Sequence, residues 1–251
     1  RFFRRTLSLF LSASLACSLG ISAAASNALG EDLSSRDTLL NQETQLSTNV
    51  FWSSAYSDLR TENVVTYTPN EDVTPIVTYG DTLPSRITVS SAAKSLESQG
   101  YRVVAGINGD FFNTSTGLPI GLVVSEGELL STDGGYYAIG FRADGTAVLG
   151  KPGVKVSADL GYAVDDGSGS PVELIRPVIA VNKARTNSGV FLYTYDFNAR
   201  HTTGTTEAGV NVVCTVEQGQ LAIGSTVTAR VERVEETTVT SIQPDQIVLS
   251  A

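Results

Sequence analysis

The sequence has few of the residues from which metal sites and redox centres are usually built. Its 251 residues include one histidine, His201, two cysteines, Cys17 and Cys214, and no methionine. Zinc is usually held by several cysteine and histidine ligands, so a zinc site built mainly from these residues is excluded. We therefore predict no metal site and no cofactor.

The motifs of several large enzyme classes are missing too. The sequence contains no HExxH or CxxC motif, no glycine-rich phosphate-binding loop and no Ser-His-Asp pattern with a recognisable serine elbow. A single histidine in a loop is more often incidental than catalytic. Carboxylates, amides and cationic side chains are therefore the groups left to carry chemistry.

Positive charge is also scarce. The chain has 17 Lys and Arg against 26 Asp and Glu, which gives a formal net charge of -9. The first 28 residues carry three arginines and no acid, so their removal moves the net charge from -9 to -12. A surface this acidic repels nucleic acid and anionic lipid, and we expect no nucleic-acid partner. One local cationic pocket can still hold a phosphate group.

Residues 1–28 have the features of a secretory signal peptide. A basic start is followed by apolar or small residues at 6–21 and by small-residue cleavage sites at 23–25 and 26–28. A retained membrane anchor is the alternative, but four serines dilute the apolar run. We expect cleavage, a secreted or cell-envelope location and no stable membrane span afterwards. Because the sequence begins at Arg1 and has no methionine, we also expect further residues at that end.

Short β segments are expected to dominate the rest of the chain. We predict a linker or N-terminal extension at 29–59, in which residues 29–48 are either a linker or contain a short helix at 33–40, and one domain at 60–251. The predicted fold class is α+β, a β-rich mixed sheet with few helices. The one clear helix runs from Ser90 to Gln99, capped by Ser90 or Ser91 and ended by Gly100. Strands are predicted at 62–68, 73–79, 136–142, 146–149, 154–158, 172–175, 178–181, 190–195, 210–216, 226–234 and 247–249.

Two smaller features have ordinary structural interpretations. The acidic, glycine-rich run at 165–170 lacks the later glutamate of a calcium loop, so we interpret it as a solvated turn. Cys214 lies in the apolar run 210–216 with no basic residue beside it, so we expect a small buried hydrophobe.

The stretch 101–127 is the segment around which we expect the rest of the chain to be organised. The apolar run Val103–Ile107 predicts a buried strand, which ends at Asn108-Gly109-Asp110 and is followed by Phe111 and Phe112. Binding groups are often placed on loops that follow rigid strands. Asn-Gly-Asp is also an ordinary turn sequence, so a binding loop and a plain turn both remain open.

These residues resemble the phosphodiester glycosidase family. The resemblance rests on Asn108–Phe112, read NGDFF, on GLPIG at 117–121 and on Gly127, and it covers roughly residues 60–251. It implies an exported enzyme that hydrolyses a sugar-1-phosphate phosphodiester of the N-acetylglucosamine-1-phosphodiester type in envelope or extracellular glycans. The alternative is a non-catalytic exported module that binds glycan or another envelope component. Four aromatic residues could then stack on sugar rings, although core packing is the commoner role: Phe111, Phe112, Tyr136 and Tyr137.

The resemblance also implies site residues. Residues 182–185, read NKAR, and the loop around His201 resemble later family segments. The implied catalytic residues are Asp110, Asn108 and Arg185, and the implied substrate-binding residues are Asn182, Phe112 and His201. Arg185 can hold a phosphate bidentately, or it can pair with an acidic neighbour at the surface, and both roles stay open.

The chain departs from the family pattern near its end. The family's later PRT, DGR and DGGGSS segments do not occur in this sequence. We therefore expect a domain that is incomplete at the C-terminus, and an enzyme that is active at full length but inactive as this fragment.

Overall fold

The structure is built mainly of strands and divides into two units, residues 1–66 and 67–251. This computed structural model describes residues 30–132, 134–165, 167 and 171–251. The predicted signal peptide and most of the predicted turn at 165–170 lie outside the described residues. In the described part, no helix has both the length and the hydropathy needed to cross a membrane.

The first unit contains a three-stranded sheet. Its strands are β1 (Glu31–Asn41), β2 (Thr44–Ser53) and β3 (Asp58–Tyr67), in the order β1-β2-β3. The helix predicted at 33–40 is wrong, because these residues form β1, paired antiparallel with β2. The Asn41 side chain accepts a hydrogen bond from the Glu43 amide at 3.1 Å, and this local turn reverses the chain into a hairpin. The strand predicted at 62–68 is confirmed as part of β3.

The second unit begins with the only α-helix in the described residues, α1 (Val89–Ser98). The predicted helix is confirmed, but the cap is Thr88, whose side chain accepts from the Ser91 amide at 3.1 Å. The cap precedes the predicted serines because the helix begins at Val89, and an N-cap side chain accepts from an amide two or three residues further on. The chain leaves the helix at Gly100, whose φ of +98° favours glycine.

Two predicted strands are absent from the described residues. Residues 101–109 and 73–80 have no regular secondary structure, and Ile107 is 78% exposed. A strand needs a partner for its backbone groups, and an apolar run does not reveal whether a partner exists. The buried central strand predicted at 103–107 is therefore wrong.

Two small hairpins follow. The first joins β4 (Val123–Ser125) to β5 (Glu128–Ser131), and the second joins β6 (Ala138–Phe141) to β7 (Ala147–Gly150). The second confirms the hairpin predicted around the Asp144-Gly145 turn.

A six-stranded mixed sheet forms the main body of the second unit. Its order is β12-β11-β13-β10-β9-β8, in which β9 and β10 are parallel and the other neighbouring pairs are antiparallel. The β-rich mixed architecture, with one α-helix among the described residues, agrees with the predicted class. The strands are β8 (Val156–Asp165), β9 (Pro171–Val181), β10 (Val190–Thr194), β11 (Gly209–Gln218), β12 (Thr228–Thr237) and β13 (Gln246–Ser250).

Strand β10 is covered on both faces. Successive strand side chains point to opposite faces, so Phe191 and Tyr193 enter one apolar cluster while Leu192 enters another. Residues 191–194 of β10 are all less than 9% exposed. Cys214 on β11 is buried at 6% exposure, as predicted, and burial raises the pKa of its thiol.

Candidate functional site

The candidate site lies at the edge of the sheet where β9 and β10 end. These strands are parallel, with Val181 paired to Leu192, so their carboxyl ends reach the same edge. Asn182 and Lys183 follow β9, and a short 3-10 helix, Tyr195–Phe197, follows β10. Carboxyl ends of parallel strands are a common place for ligand-binding groups.

The segment 110–121, which we call the 110–121 loop, passes across this edge. Near its end Leu118 packs against the apolar cluster that contains Tyr193, and Leu122 just beyond it packs against the cluster that contains Leu192. The loop doubles back on itself, since the Ile120 amide donates to the Phe111 carbonyl oxygen at 2.9 Å. It therefore brings the family-like motif residues to the carboxyl ends of the parallel strands.

Asp110 closes the base of this loop. The Gly121 amide donates to Asp110 Oδ2 at 2.6 Å, a short charge-assisted hydrogen bond. A Cβ at position 121 would lie only 2.9 Å from the same oxygen. Glycine is thus the residue that lets the carboxylate approach the backbone here.

Lys183 binds the same turn through its carbonyl oxygens. Its Nζ donates to the carbonyl oxygens of Pro119 at 2.5 Å, Ile120 at 3.1 Å and Gly121 at 3.2 Å. An acid and a base therefore meet at Gly121, Asp110 through the amide and Lys183 through the carbonyl. The sequence reasoning did not assign a role to Lys183. Its position directly after Asn182, in the NKAR segment, was the available signal.

Asn182 is a fully buried junction between three strands. Its Nδ2 donates to the Leu130 carbonyl oxygen and to Thr194 Oγ1, both at 2.8 Å, and its Oδ1 accepts from the Thr194 amide at 2.9 Å. Its φ of +51° is left-handed, a conformation that asparagine tolerates better than most residues. Both amide hydrogens are used, so any role in binding substrate requires these bonds to change and stays a prediction.

Arg185 lies apart from the Gly121 turn. Its Nη1 donates to Ser250 Oγ at 2.9 Å and to the Ala251 carbonyl oxygen at 3.0 Å, and its Nη2 donates to the Glu207 carbonyl oxygen. The guanidinium therefore ties β13 to the chain before β11. It binds a hydroxyl and main-chain oxygens, whereas the surface alternative expected an acidic side chain.

His201 lies against the chain that follows β10. Its ring stacks on Tyr195 with centroids 3.6 Å apart and planes 3° apart, and Nδ1 lies 2.9 Å from the Tyr195 carbonyl oxygen. A carbonyl oxygen only accepts hydrogen bonds, so Nδ1 carries the proton and, in the neutral ring, Nε2 is left as an acceptor. These two contacts fix the orientation of the His201 ring, which an incidental loop histidine would not need.

The other predicted site residues are exposed. Asn108 is solvent-exposed, and Phe112 is 46% exposed. The core packing expected for the aromatic residues is wrong, since all four expose a large part of their surface: Phe111 84%, Phe112 46%, Tyr136 58% and Tyr137 71%. The run 103–107, which precedes Phe111 and Phe112, forms no buried strand, so it does not carry these two rings into the core.

The geometry therefore brings only some of the candidate residues together. Asp110 and Lys183 meet at Gly121, while Asn182 and His201 lie at the ends of the same parallel strands. Arg185 is anchored elsewhere, at residues 207, 250 and 251.

Comparison with known proteins bears on the fold and the family. No curated protein sequence matches the chain. A solved structure, described as a hypothetical protein from Synechocystis, shares the fold at 15% identity with a TM-score of 0.55. The similarity covers 86% of this chain and 37% of that one, so the chain spans little more than a third of that protein's length. The family model described as phosphodiester glycosidase matches residues 101–235. That match includes the 110–121 loop and residues 182–185 and takes in more than half of the chain, which therefore belongs to the phosphodiester glycosidase family.

Proposed function

We propose that this protein is an exported glycosidase that hydrolyses a sugar-1-phosphate phosphodiester of the N-acetylglucosamine-1-phosphodiester type. The observation that carries the proposal is that the Asp110 carboxylate and the Lys183 ammonium both hydrogen-bond to Gly121, in the loop that bears the family motif. In the reaction, water adds to the anomeric carbon and the bond from that carbon to the phosphate oxygen breaks. The products are a free sugar and a phosphate monoester.

The charges near the site fit the two halves of such a substrate. A phosphate monoester is already a good leaving group, and cations stabilise the negative charge that it carries away. Lys183 and Arg185 are the cations that the NKAR segment supplies. Asp110 is the carboxylate available to move a proton or to stabilise positive charge at the anomeric carbon. We propose catalytic roles for Asp110, Asn108 and Arg185 and substrate contacts for Asn182, Phe112 and His201.

A direct test is hydrolysis of methyl N-acetylglucosamine-1-phosphodiester by the full-length protein, measured as release of free N-acetylglucosamine. We expect Asp110→Asn and Arg185→Ala each to lower kcat/KM by about 100-fold, the low end for loss of a proton-transfer group or of a charge-stabilising donor. Matched controls are Asp81→Asn and Arg36→Ala, which change exposed residues of the same types. Wild-type rates for both site variants would refute the assignment.

A second candidate function is glycan binding without hydrolysis. The observation in its favour is the exposure of the four aromatic rings, which offer stacking surfaces for sugars. A glycan-binding screen that detects binding, combined with no sugar release, would support it. Phe111→Ala and Tyr137→Ala should then weaken binding, whereas Asp110→Asn should have little effect.

The export and envelope location are part of the same proposal and rest on the N-terminal sequence. A reporter fused to residues 1–28 should appear outside the cytoplasm, and replacing the three arginines in that segment should reduce its export. Reporter activity confined to the cytoplasm would argue against this location.

A further inference from the structure

A cavity of about 290 Å³ opens beside the same sheet edge. It lies beyond the end of β10, at Thr194 and Asp196, and extends to the start of β13 and the end of β11. Thr194 links it to the candidate site, because the Thr194 side chain accepts a hydrogen bond from Asn182 at 2.8 Å. The volume is near the lower end for small-molecule pockets and suits a single sugar ring.

The lining combines carboxylates and amides with apolar walls. Glu128, Asp196 and Asp245 supply three carboxyl groups, and the described residues that line the cavity include neither lysine nor arginine. An anionic phosphate is therefore disfavoured there. The apolar walls suit the C–H faces of a sugar ring, while the polar groups suit its hydroxyls; the walls include Val216, Leu221, Val227, Pro244 and Ile247.

We propose that this cavity binds the uncharged sugar portion of the substrate and that Glu128 and Asp196 are the residues that bind its hydroxyl groups. The identity of the sugar as part of a phosphodiester rests on the function proposed above. The division of charge is consistent with it, because the cavity is acidic, whereas Lys183, which follows β9, donates to carbonyl oxygens of the 110–121 loop.

Glu128 is held at the cavity by its own strand. The backbone amide of the next residue, Leu129, donates to the Leu221 carbonyl oxygen at 2.6 Å, which fixes β5 against the cavity wall. Burial raises the pKa of the Glu128 carboxyl, the negative charge of Asp196 raises it further, and a hydrogen bond from Gln220 lowers it. Glu128 therefore keeps its proton to a higher pH than an ordinary glutamate does.

The test is a titration of the methyl-labelled full chain with N-acetylglucosamine, read by NMR. We expect shifts of the Leu221, Val227 and Ile247 methyl signals. The signals of Ile242 and Val248, in the apolar cluster that contains Tyr193, should stay unchanged and report an intact fold. Inorganic phosphate and calcium chloride, titrated separately, should leave the cavity signals unchanged.

Variants identify the binding groups. Glu128→Ala and Asp196→Ala should each weaken sugar binding about tenfold, which is the loss expected for one hydrogen bond to a charged or strongly polar group. Glu128→Gln should bind within about threefold of wild type, because the amide has the shape of the carboxyl and can still hydrogen-bond to a sugar hydroxyl. Glu236→Ala, on an exposed face of β12, is the matched control.

Several results would overturn the inference. Unchanged cavity methyls on wild-type protein would do so even if no alanine variant folds, and so would cavity shifts caused by calcium or phosphate instead of sugar. The hydrolysis assay is independent of this titration. Turnover without sugar binding at the cavity refutes only the inference, whereas binding at the cavity without turnover refutes only the proposed function.

Discussion

Gly121 is the residue that both charged side chains of the Gly121 turn, Asp110 and Lys183, bind. Its amide binds the Asp110 carboxylate, and its carbonyl accepts from the Lys183 ammonium. The arrangement depends on the absence of a side chain at this position. Glycine at position 121 has a steric cause, because a side chain there would press against the carboxylate of Asp110, a proposed catalytic residue.

Gly121→Ala should therefore reduce activity at little cost in stability. The added Cβ would lie 2.9 Å from Asp110 Oδ2, the end of a side chain that can move away. We expect kcat/KM to fall about tenfold or more, because small displacements of catalytic groups are costly, while the melting temperature changes little. The measurements are steady-state kinetics and thermal unfolding.

The control for this variant is Gly150→Ala, where an added Cβ meets no atom within 4 Å. If Gly121→Ala were as active as Gly150→Ala, the position of the Asp110 carboxylate would have no bearing on catalysis.

At the residue scale, the sequence predicted the motif better than it predicted the contacts. Asp110 could be singled out from NGDFF, but nothing local indicated that its partner is an amide eleven residues later. Lys183 was overlooked because its partners lie more than sixty residues away, at 119–121. Pairings of this kind are created by the fold and leave no spacing pattern in the sequence.

At the scale of elements, Asn182 joins strands that are distant in sequence. It connects β9 to Leu130 on β5 and to Thr194 on β10 through three side-chain hydrogen bonds. Asn182→Ala leaves buried donors and acceptors without partners, at about 1–3 kcal/mol for each group. We expect the free energy of unfolding to fall by about 3 kcal/mol in urea denaturation.

Asn187→Ala is the matched control for this prediction. The Asn187 side chain accepts one local hydrogen bond from the Gly189 amide at 2.8 Å, in an exposed turn. Its loss should cost less than about 1 kcal/mol. Equal losses for the two variants would contradict the assigned role of Asn182.

The helix and the hairpin were predictable because the caps and turns that define them lie close by in the sequence. The helix at 90–99 and the hairpin at 138–150 have their caps and turns within a few residues, and both were predicted. The β1 strand differs from the predicted linker or short helix because scattered leucines fit either periodicity. The run at 103–107 has the hydrophobicity of a buried strand, but hydrophobicity does not show whether a pairing partner exists.

At the scale of the whole molecule, burial of β10 should limit stability at alkaline pH. Tyr193 is fully buried, and burial raises the pKa of its hydroxyl to about 12, against a smaller lowering by Arg185. Within the described residues the hydroxyl has no hydrogen-bond partner, since the approach of the Arg185 amide does not reach hydrogen-bond geometry. In the unfolded chain the same group ionises near its ordinary pKa of about 10.

The sign of the effect follows from this difference. Below pH 10 the hydroxyl is protonated in both states, and its contribution to stability is fully retained. Between about pH 10 and pH 12 only the unfolded chain releases the proton, so the free energy of unfolding falls by about 1.4 kcal/mol per pH unit. Tyr193→Phe removes the ionisable group, and no hydrogen bond is lost with it. We expect equal or slightly higher stability at neutral pH and a shallower alkaline decline, measured by urea denaturation at several pH values. Tyr136→Phe, at an exposed position, should follow the wild-type decline. If Tyr193→Phe also kept that slope, ionisation of Tyr193 would not be a cause of the alkaline loss.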